Sequence, residues 1–164
     1  MNEKLNAQIT REFYSSYLYR QMASCLDRMG LAVLEQHFID QADEELAHAV
    51  KLIDYVQKAA GVLELGAIPA PPTSFETVVA IAQATLDHER EVTGHIHALV
   101  AQAEEDKDYS TRSYLQWYID EQVEEEASFA DLLQLAKLAG DNLLVLEDRV
   151  EKLRQARAAA MAGA

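Results

Sequence analysis

Apolar residues recur in steps of four and three along most of the 164-residue chain. That spacing places them on one face of a helix. The first stripe reads Leu5, Ile9, Glu12, Ser16, Tyr19, Ala23, Leu26, and the second Leu34, Phe38, Gln41, Glu45, His48, Leu52, Tyr55, Ala59. A third runs Phe75, Val79, Ala82, Leu86, Glu89, Thr93, Ile96, Val100, and a fourth Leu115, Tyr118, Gln122, Glu125, Phe129, Leu132, Ala136. A short last stripe holds Leu143, Leu146, Val150 and Leu153. The pattern predicts helices from Asn2 to Met29, capped by Gly30, and then to about Ala60, capped by Gly61. It predicts a third from Phe75 to about Glu105 with Ser74 as N-cap, and a fourth ending at Ala139 before Gly140. Asp141 or Asn142 then caps a shorter helix to about Arg157, with a frayed Ala158–Ala164 tail.

The connections set the topology. A short link at Gly30 makes the first two helices antiparallel neighbours. The stretch from Gly61 to Ser74 carries Gly66, Pro69, Pro71 and Pro72 and reads as an extended loop. A helix of about 28 residues is roughly 42 Å long, and about 14 extended residues reach at most roughly 46–50 Å. The loop therefore spans the bundle and leaves the second and third helices parallel. The expectation is a single all-α domain over residues 1–164. It is a four-helix bundle over about 2–139, with one long crossover and a short fifth helix over about 142–157.

Each of the four long seams is interrupted near its middle by an acid: Glu12, Glu45, Glu89 and Glu125. A buried carboxylate is costly unless paired or bound to a metal. Glu45 and His48 stand three apart, so a carboxylate oxygen and an imidazole nitrogen reach one ion together. Four converging carboxylates and one imidazole call for two divalent or trivalent, iron-like cations. Such donors suit iron, manganese and zinc alike, and the want of thiolates excludes iron–sulfur clusters and cysteine-type zinc. Glu45 sits best as a bridge. Glu12 completes one ion's shell with His48, and Glu89 holds the second with Gln122 or Glu125 beside it. Di-iron bundles carry two Glu-x-x-His pairs. Here the fourth helix reads Glu125-Glu126-Ala127-Ser128, so one ion lacks an imidazole. That asymmetry is consistent with Fe(II) being taken in, oxidised and passed on.

The motifs Glu12-Phe13-Tyr14-Ser15-Ser16 with Tyr19, Glu44-Glu45-Leu46-Ala47-His48, His88-Glu89 and Asp108-Tyr109-Ser110-Thr111 follow one another in order. Leu115-Gln116-Trp117-Tyr118 and Glu121-Gln122-x-Glu124-Glu125-Glu126 complete the set. From Leu5 to about Leu153 the chain resembles the bacterial non-haem ferritins. The resemblance implies iron storage in a homo-oligomeric shell of 24 subunits, with dioxygen oxidising Fe(II) at a ferroxidase centre. That centre falls on Glu12, Glu45, His48, Glu89, Gln122 and Glu125, and a third iron site on Glu44, Glu121, Glu124 and Glu125. The family's tyrosine near the centre matches Tyr19, and its tryptophan matches Trp117. Bacterioferritins carry a second Glu-x-x-His, absent here at Ser128, and a haem-ligating Met where this chain has Leu46; no haem is expected. Miniferritins lack the last helix. The acids Glu104, Glu105, Asp106 and Asp108 resemble the lining of a threefold channel.

Composition narrows the rest. A formal net charge of −14 makes nucleic acid and anionic membranes poor partners and cations good ones. One cysteine, Cys25, forbids an intramolecular disulfide framework. With neither a signal-peptide pattern nor a run of about 18 apolar residues, the expected compartment is the cytoplasm. His37, His88, His95 and His97 are expected at the surface or behind the ligands. The rival readings are a di-iron peroxidase or oxygenase, a catalytically silent shell subunit, and a monomeric manganese or zinc binder.

Overall fold

A computed structural model describes residues 1–162 of the chain. Helix α1 spans Asn2–Arg28, α2 Ala32–Lys58, α3 Val78–Glu105, α4 Tyr109–Tyr114, α5 Gln116–Ala139 and α6 Leu143–Ala162. Helices α1 and α2 form one hairpin, α3 packs on α5, and α6 lies against α2 and α5. Among the described residues no helix is long and apolar enough to cross a membrane.

Three helix ends close in the same way. Gly30 follows α1 at φ +76°; its N–H bonds Asp27 O at 2.8 Å, and Leu31 N bonds Leu26 O at 3.1 Å. This double bond satisfies the last free carbonyls. The same pair follows α2 through Ala60 (φ 58°) and Gly61, and follows α3 through Lys107 (φ 55°) and Asp108. The left-handed residue after α2 is thus Ala60, not Gly61. Gly61 is required for another reason: a Cβ there would strike Asn2 Oδ1 and come within 2.9 Å of Val56 Cγ1.

The crossover runs the full length of α1. Asn2 Nδ2 and Asn6 Nδ2 donate to Val62 O at 3.0 and 2.8 Å, Asn6 Oδ1 accepts from Glu64 N at 3.2 Å, and Thr10 Oγ1 accepts from Gly66 N at 3.1 Å. Four helical residues advance about 6 Å and two extended residues about 6.6 Å, so the two chains stay in step. At the far end Arg28 reaches Thr73 O at 3.4 Å. Helix α3 therefore begins where α2 begins, and the two are parallel, as loop length predicts.

Three boundaries differ from expectation. Thr77, not Ser74, caps α3, its hydroxyl accepting from Ala80 N at 3.0 Å. Phe75 instead packs against the bundle end. The expected fourth helix breaks at Leu115 into α4 and α5. Helix α6 continues past Arg157 to Ala162 rather than fraying, and residues 163–164 lie outside those described. The Glu147 carboxylate caps α2, accepting from Leu34 N at 2.8 Å and Val33 N at 3.3 Å.

The core has two halves. One gathers Met22, Leu26, Leu34, Phe38, Leu86, Phe129 and the α6 residues Leu146 and Val150. The other gathers Leu5, Ile9, Leu52, Val56, Ile96, Leu115 and Tyr118. Between them lies a polar layer of Glu12, Glu45, His48, Glu89, Gln122 and Glu125, every one buried.

Candidate metal centre

Each residue of the polar layer is delivered by a seam that is otherwise apolar. Glu12 follows Ile9 on α1, Glu45 and His48 precede Leu52 on α2, Glu89 follows Leu86 on α3, and Gln122 and Glu125 lie between Tyr118 and Phe129 on α5. The apolar halves fix the helices and force these side chains inward.

One side of the layer is Glu12, Glu45 and His48, whose candidate ligand atoms all lie within 4.8 Å of one another. His48 Nδ1 stands 3.5 Å from Glu45 Oε2 and 3.9 Å from Glu12 Oε2. Glu12 Oε1 accepts from Gln8 Nε2, while the buried Oε2 has no hydrogen-bond partner. A buried carboxylate oxygen left unpaired is costly, and a cation between Glu12, Glu45 and His48 would satisfy it. The donor set, two carboxylates and an imidazole, fits iron chemically.

The other side centres on Glu89. It accepts from Tyr19 OH and, at 3.0 Å, from Gln122 Nε2. Tyr19 is fully buried, with Phe38, Phe129 and His88 around its ring at 5.9–6.0 Å. Glu125 is buried on the same seam.

The electrostatics show that the acids share one space. Burial, then the charges of Glu12, Glu89 and Glu125, push the Glu45 carboxyl well above its usual range. Burial raises Glu89 to about 7; Glu12 and Glu126 add to the rise, while the bonds from Tyr19 and Gln122 oppose it. Burial and the charges of Glu89, Glu45 and Glu125 likewise hold the Tyr19 phenol well above its ordinary value. Bringing cations into such a site reverses these costs.

Beside the layer, Glu44, His48 and Glu121 form a second group within 4.8 Å. Gln41 Nε2 donates to Glu44 at 2.6 Å. Glu124, expected with them, is exposed and belongs to neither group. Ser128 lines, with His37, Gln41 and Glu44, a cavity of about 560 Å³ between α2, α5 and α6. Asp108 is engaged as the α4 cap, bonding Thr111 N at 3.1 Å and Thr111 Oγ1 at 2.6 Å. His88 is half-buried against Ser15 Oγ, 2.8 Å away, and His97 is exposed. Trp117 stacks on Tyr118 at 4.5 Å and faces His48 at 5.5 Å.

Two groups near the centre escape a reading by seams alone. Gln8 supports Glu12 from one turn earlier, and its i,i+4 spacing could have revealed it. Glu126 accepts from Thr93 Oγ1 at 2.6 Å across α3 and α5; no spacing within one helix announces it.

Comparison with known proteins agrees with the motifs. A family profile described as a ferritin-like domain matches residues 2–139. A probable bacterial non-heme ferritin-like protein of Haemophilus influenzae is 36% identical over 138 residues, 84% of each chain. A bacterial non-heme ferritin of Staphylococcus haemolyticus is 35% identical over 140 residues, 85% of this chain and 84% of its own. Among solved structures, an open pore ferritin from the archaeon Archaeoglobus fulgidus superposes with a TM-score of 0.88 at 41% identity, covering 90% of this chain and 92% of its own.

Proposed function

We propose that this chain, which belongs to the ferritin-like family, oxidises Fe(II) with dioxygen and stores the ferric product inside a shell of its own copies. The observation that carries the reading is the buried layer itself: four carboxylates from four helices, one imidazole, and a Glu12 oxygen without a hydrogen-bond partner among the described residues. Its relatives' names, bacterial non-heme ferritin, support the same reading. The shell is assigned 24 subunits.

Fe(II) is here a substrate. Glu12, Glu45 and His48 hold the first ion. Glu89, with Gln122 and Glu125 beside it, takes the second, and Glu45 is assigned to both. A pair of bound ferrous ions supplies the two electrons for dioxygen. The remaining steps belong to the chain. Tyr19 and Gln122 orient the Glu89 carboxylate through its two oxygens, and Gln8 orients Glu12. The apolar halves above and below exclude water and fix the spacing, so the site needs no rearrangement at the moment of reaction. Protons held on Glu45 and Glu89 leave when cations arrive, since both carboxyls lie above their ordinary values. Loading the centre therefore releases acid. Glu44 and Glu121, flanking His48, are assigned to a third iron position through which product moves onward.

Glu45→Ala tests the assignment. Stopped-flow oxidation of Fe(II) should lose its rapid phase while the particle keeps its size by light scattering. An unchanged rapid phase would overturn the ligand set, and a particle of about 18 kDa in the parent protein would overturn the shell.

A further inference from the structure

The geometry points to an aromatic relay that carries oxidising equivalents from the metal centre to Tyr55, with Thr111 and Asp108 as its proton outlet. The proposal rests on the centre being an oxidising one.

The rings form a continuous series. Trp117, the chain's one tryptophan, lies 5.5 Å from His48 between centroids. Tyr114 meets Trp117 edge-on at 6.2 Å. Tyr55 stacks on Tyr114 at 3.8 Å with the planes 11° apart. Helices α2, α4 and α5 each contribute, so the series is a tertiary construction and no single helix stripe explains it.

Hydrogen bonding gives the series a direction. Lys51 Nζ sits 3.3 Å over the Trp117 ring. A cation there opposes positive charge on the indole, and the buried Trp117 Nε1–H faces at most the Tyr114 hydroxyl oxygen, which is no base for its proton. An electron hole is therefore unstable on Trp117. The Tyr114 hydroxyl donates to the Lys51 carbonyl at 2.7 Å, and an amide oxygen does not take up a proton at neutral pH. Tyr55 differs. Its hydroxyl lies 2.8 Å from Thr111 Oγ1. Thr111 Oγ1 lies 2.6 Å from Asp108 Oδ2, a carboxylate that only accepts. Thr111 has one hydroxyl proton, so it donates to Asp108 and Tyr55 must donate to Thr111. Tyr55 alone of the three rings has a proton wire ending at a carboxylate.

The step balances. Two ferrous ions supply two electrons, and dioxygen needs four to reach water. The dioxygen species left at the centre, reduced by two electrons, takes the two it still needs from Trp117 in two successive passages, each replaced from Tyr55 through Tyr114, and with four protons from solvent becomes two waters. As Tyr55 is oxidised its O–H bond breaks. The proton passes to Thr111 Oγ1, whose own proton moves to Asp108. The neutral Tyr55 radical is then reduced by a one-electron donor from solution, of the thiol or ascorbate class. The relay removes a damaging oxidant from a buried site at the expense of a ring near the surface.

Pulse radiolysis of the metal-free protein with azide radical tests this without iron. Azide radical oxidises indole, and here there is one indole. In the parent protein the indolyl absorption should decay as a tyrosyl absorption grows, at a rate independent of protein concentration. Y55F and Y114F should each slow that transfer by roughly tenfold or more, equivalent to about 1.4 kcal/mol or more of barrier. D108N, which keeps an N-cap side chain, should slow it in proportion to a lost solvent isotope effect, and the exposed-ring control Y17F should leave it unchanged. An unchanged rate and yield in Y55F overturns the relay, as does a tyrosyl signal that survives in Y55F but vanishes in Y118F. Ferric absorbance on mixing Fe(II) with oxygen reports separately on the centre, so the two readings fail independently.

Discussion

Replacing Glu89 by Gln should make the metal-free protein more stable at alkaline pH while spoiling its second metal position. Glu89 is fully buried, and its carboxyl is raised from the ordinary 4.5 to about 7. Below pH 4.5 the group is protonated in both folded and unfolded chains. Between 4.5 and about 7 the folded chain holds a proton that the unfolded chain has lost, so stability falls as pH rises. Over the whole interval the loss is about 3 kcal/mol. The amide of the substitution carries no charge and removes that slope. It keeps an oxygen for the Tyr19 hydroxyl, and Gln122 can turn its own amide to match. Relief of Glu45, whose carboxyl is raised in part by the Glu89 charge, works in the same direction. For a chain of this length about 3 kcal/mol corresponds to ~6–12 °C in Tm. The assay is calorimetry in chelator at about pH 5 and about pH 8 for both proteins. The difference curve cancels surface groups, including Asp40 and Asp108, whose carboxyls lie below their ordinary values and pull the other way. Parallel Tm curves would refute the argument, because they would mean that Glu89 is not held protonated by the bundle.

Other perturbations test the frame around the site. Ala60→Gly removes a left-handed alanine at φ 58° and should raise stability by about 0.5–1 kcal/mol. Gly61→Ala should lower it by about 1–3 kcal/mol, because its Cβ meets Val56 and Asn2; both are read by urea denaturation in chelator. Glu147→Ala leaves the α2 terminus without its cap and should cost about 1 kcal/mol. Amide exchange at Leu34 should rise before any change at the metal centre.

The seams were legible because burial in a bundle obeys a short period: every residue named on the fourth seam, from Leu115 to Ala136, is buried. Glu12, Glu45, Glu89 and Glu125 stood out for the same reason, as charges in phase with leucines. The α3 start was not legible, because Ser74 and Thr77 are both hydroxyl residues ahead of an apolar run. Packing of Phe75 on the bundle chooses between them, and packing is not a local property. Nor was the break at Leu115. It has no Pro or Gly, and it lies where Tyr114 stacks on Tyr55 of α2 while Trp117 and Tyr118, stacked on each other, both meet His48 of α2. The Asn2, Asn6 and Thr10 ladder under the crossover was hidden by its polarity. A reading that scores apolar stripes passes over a polar one, although its spacing of four residues is just as regular.

The two halves of the layer should not load alike. Glu89 already has a donor on each oxygen, Tyr19 on one and Gln122 on the other. A cation binding there competes with hydrogen bonds that must be surrendered or turned. Glu12 Oε2 has none to surrender, and His48 Nδ1, at 3.5 and 3.9 Å from two carboxylates, adds a nitrogen ligand to the two oxygens. The Glu12–Glu45–His48 position should therefore fill first. Anaerobic titration with Co(II) should show one equivalent per subunit binding tightly, with a spectrum carrying nitrogen ligation, before a second and weaker one. His48→Ala should abolish the first phase, whereas Gln122→Ala, which touches only Glu89, should leave the first phase intact and change only the second. Two indistinguishable phases, or a first phase insensitive to His48, would show that hydrogen-bond satisfaction does not order the sites, and that inter-metal repulsion or access decides instead.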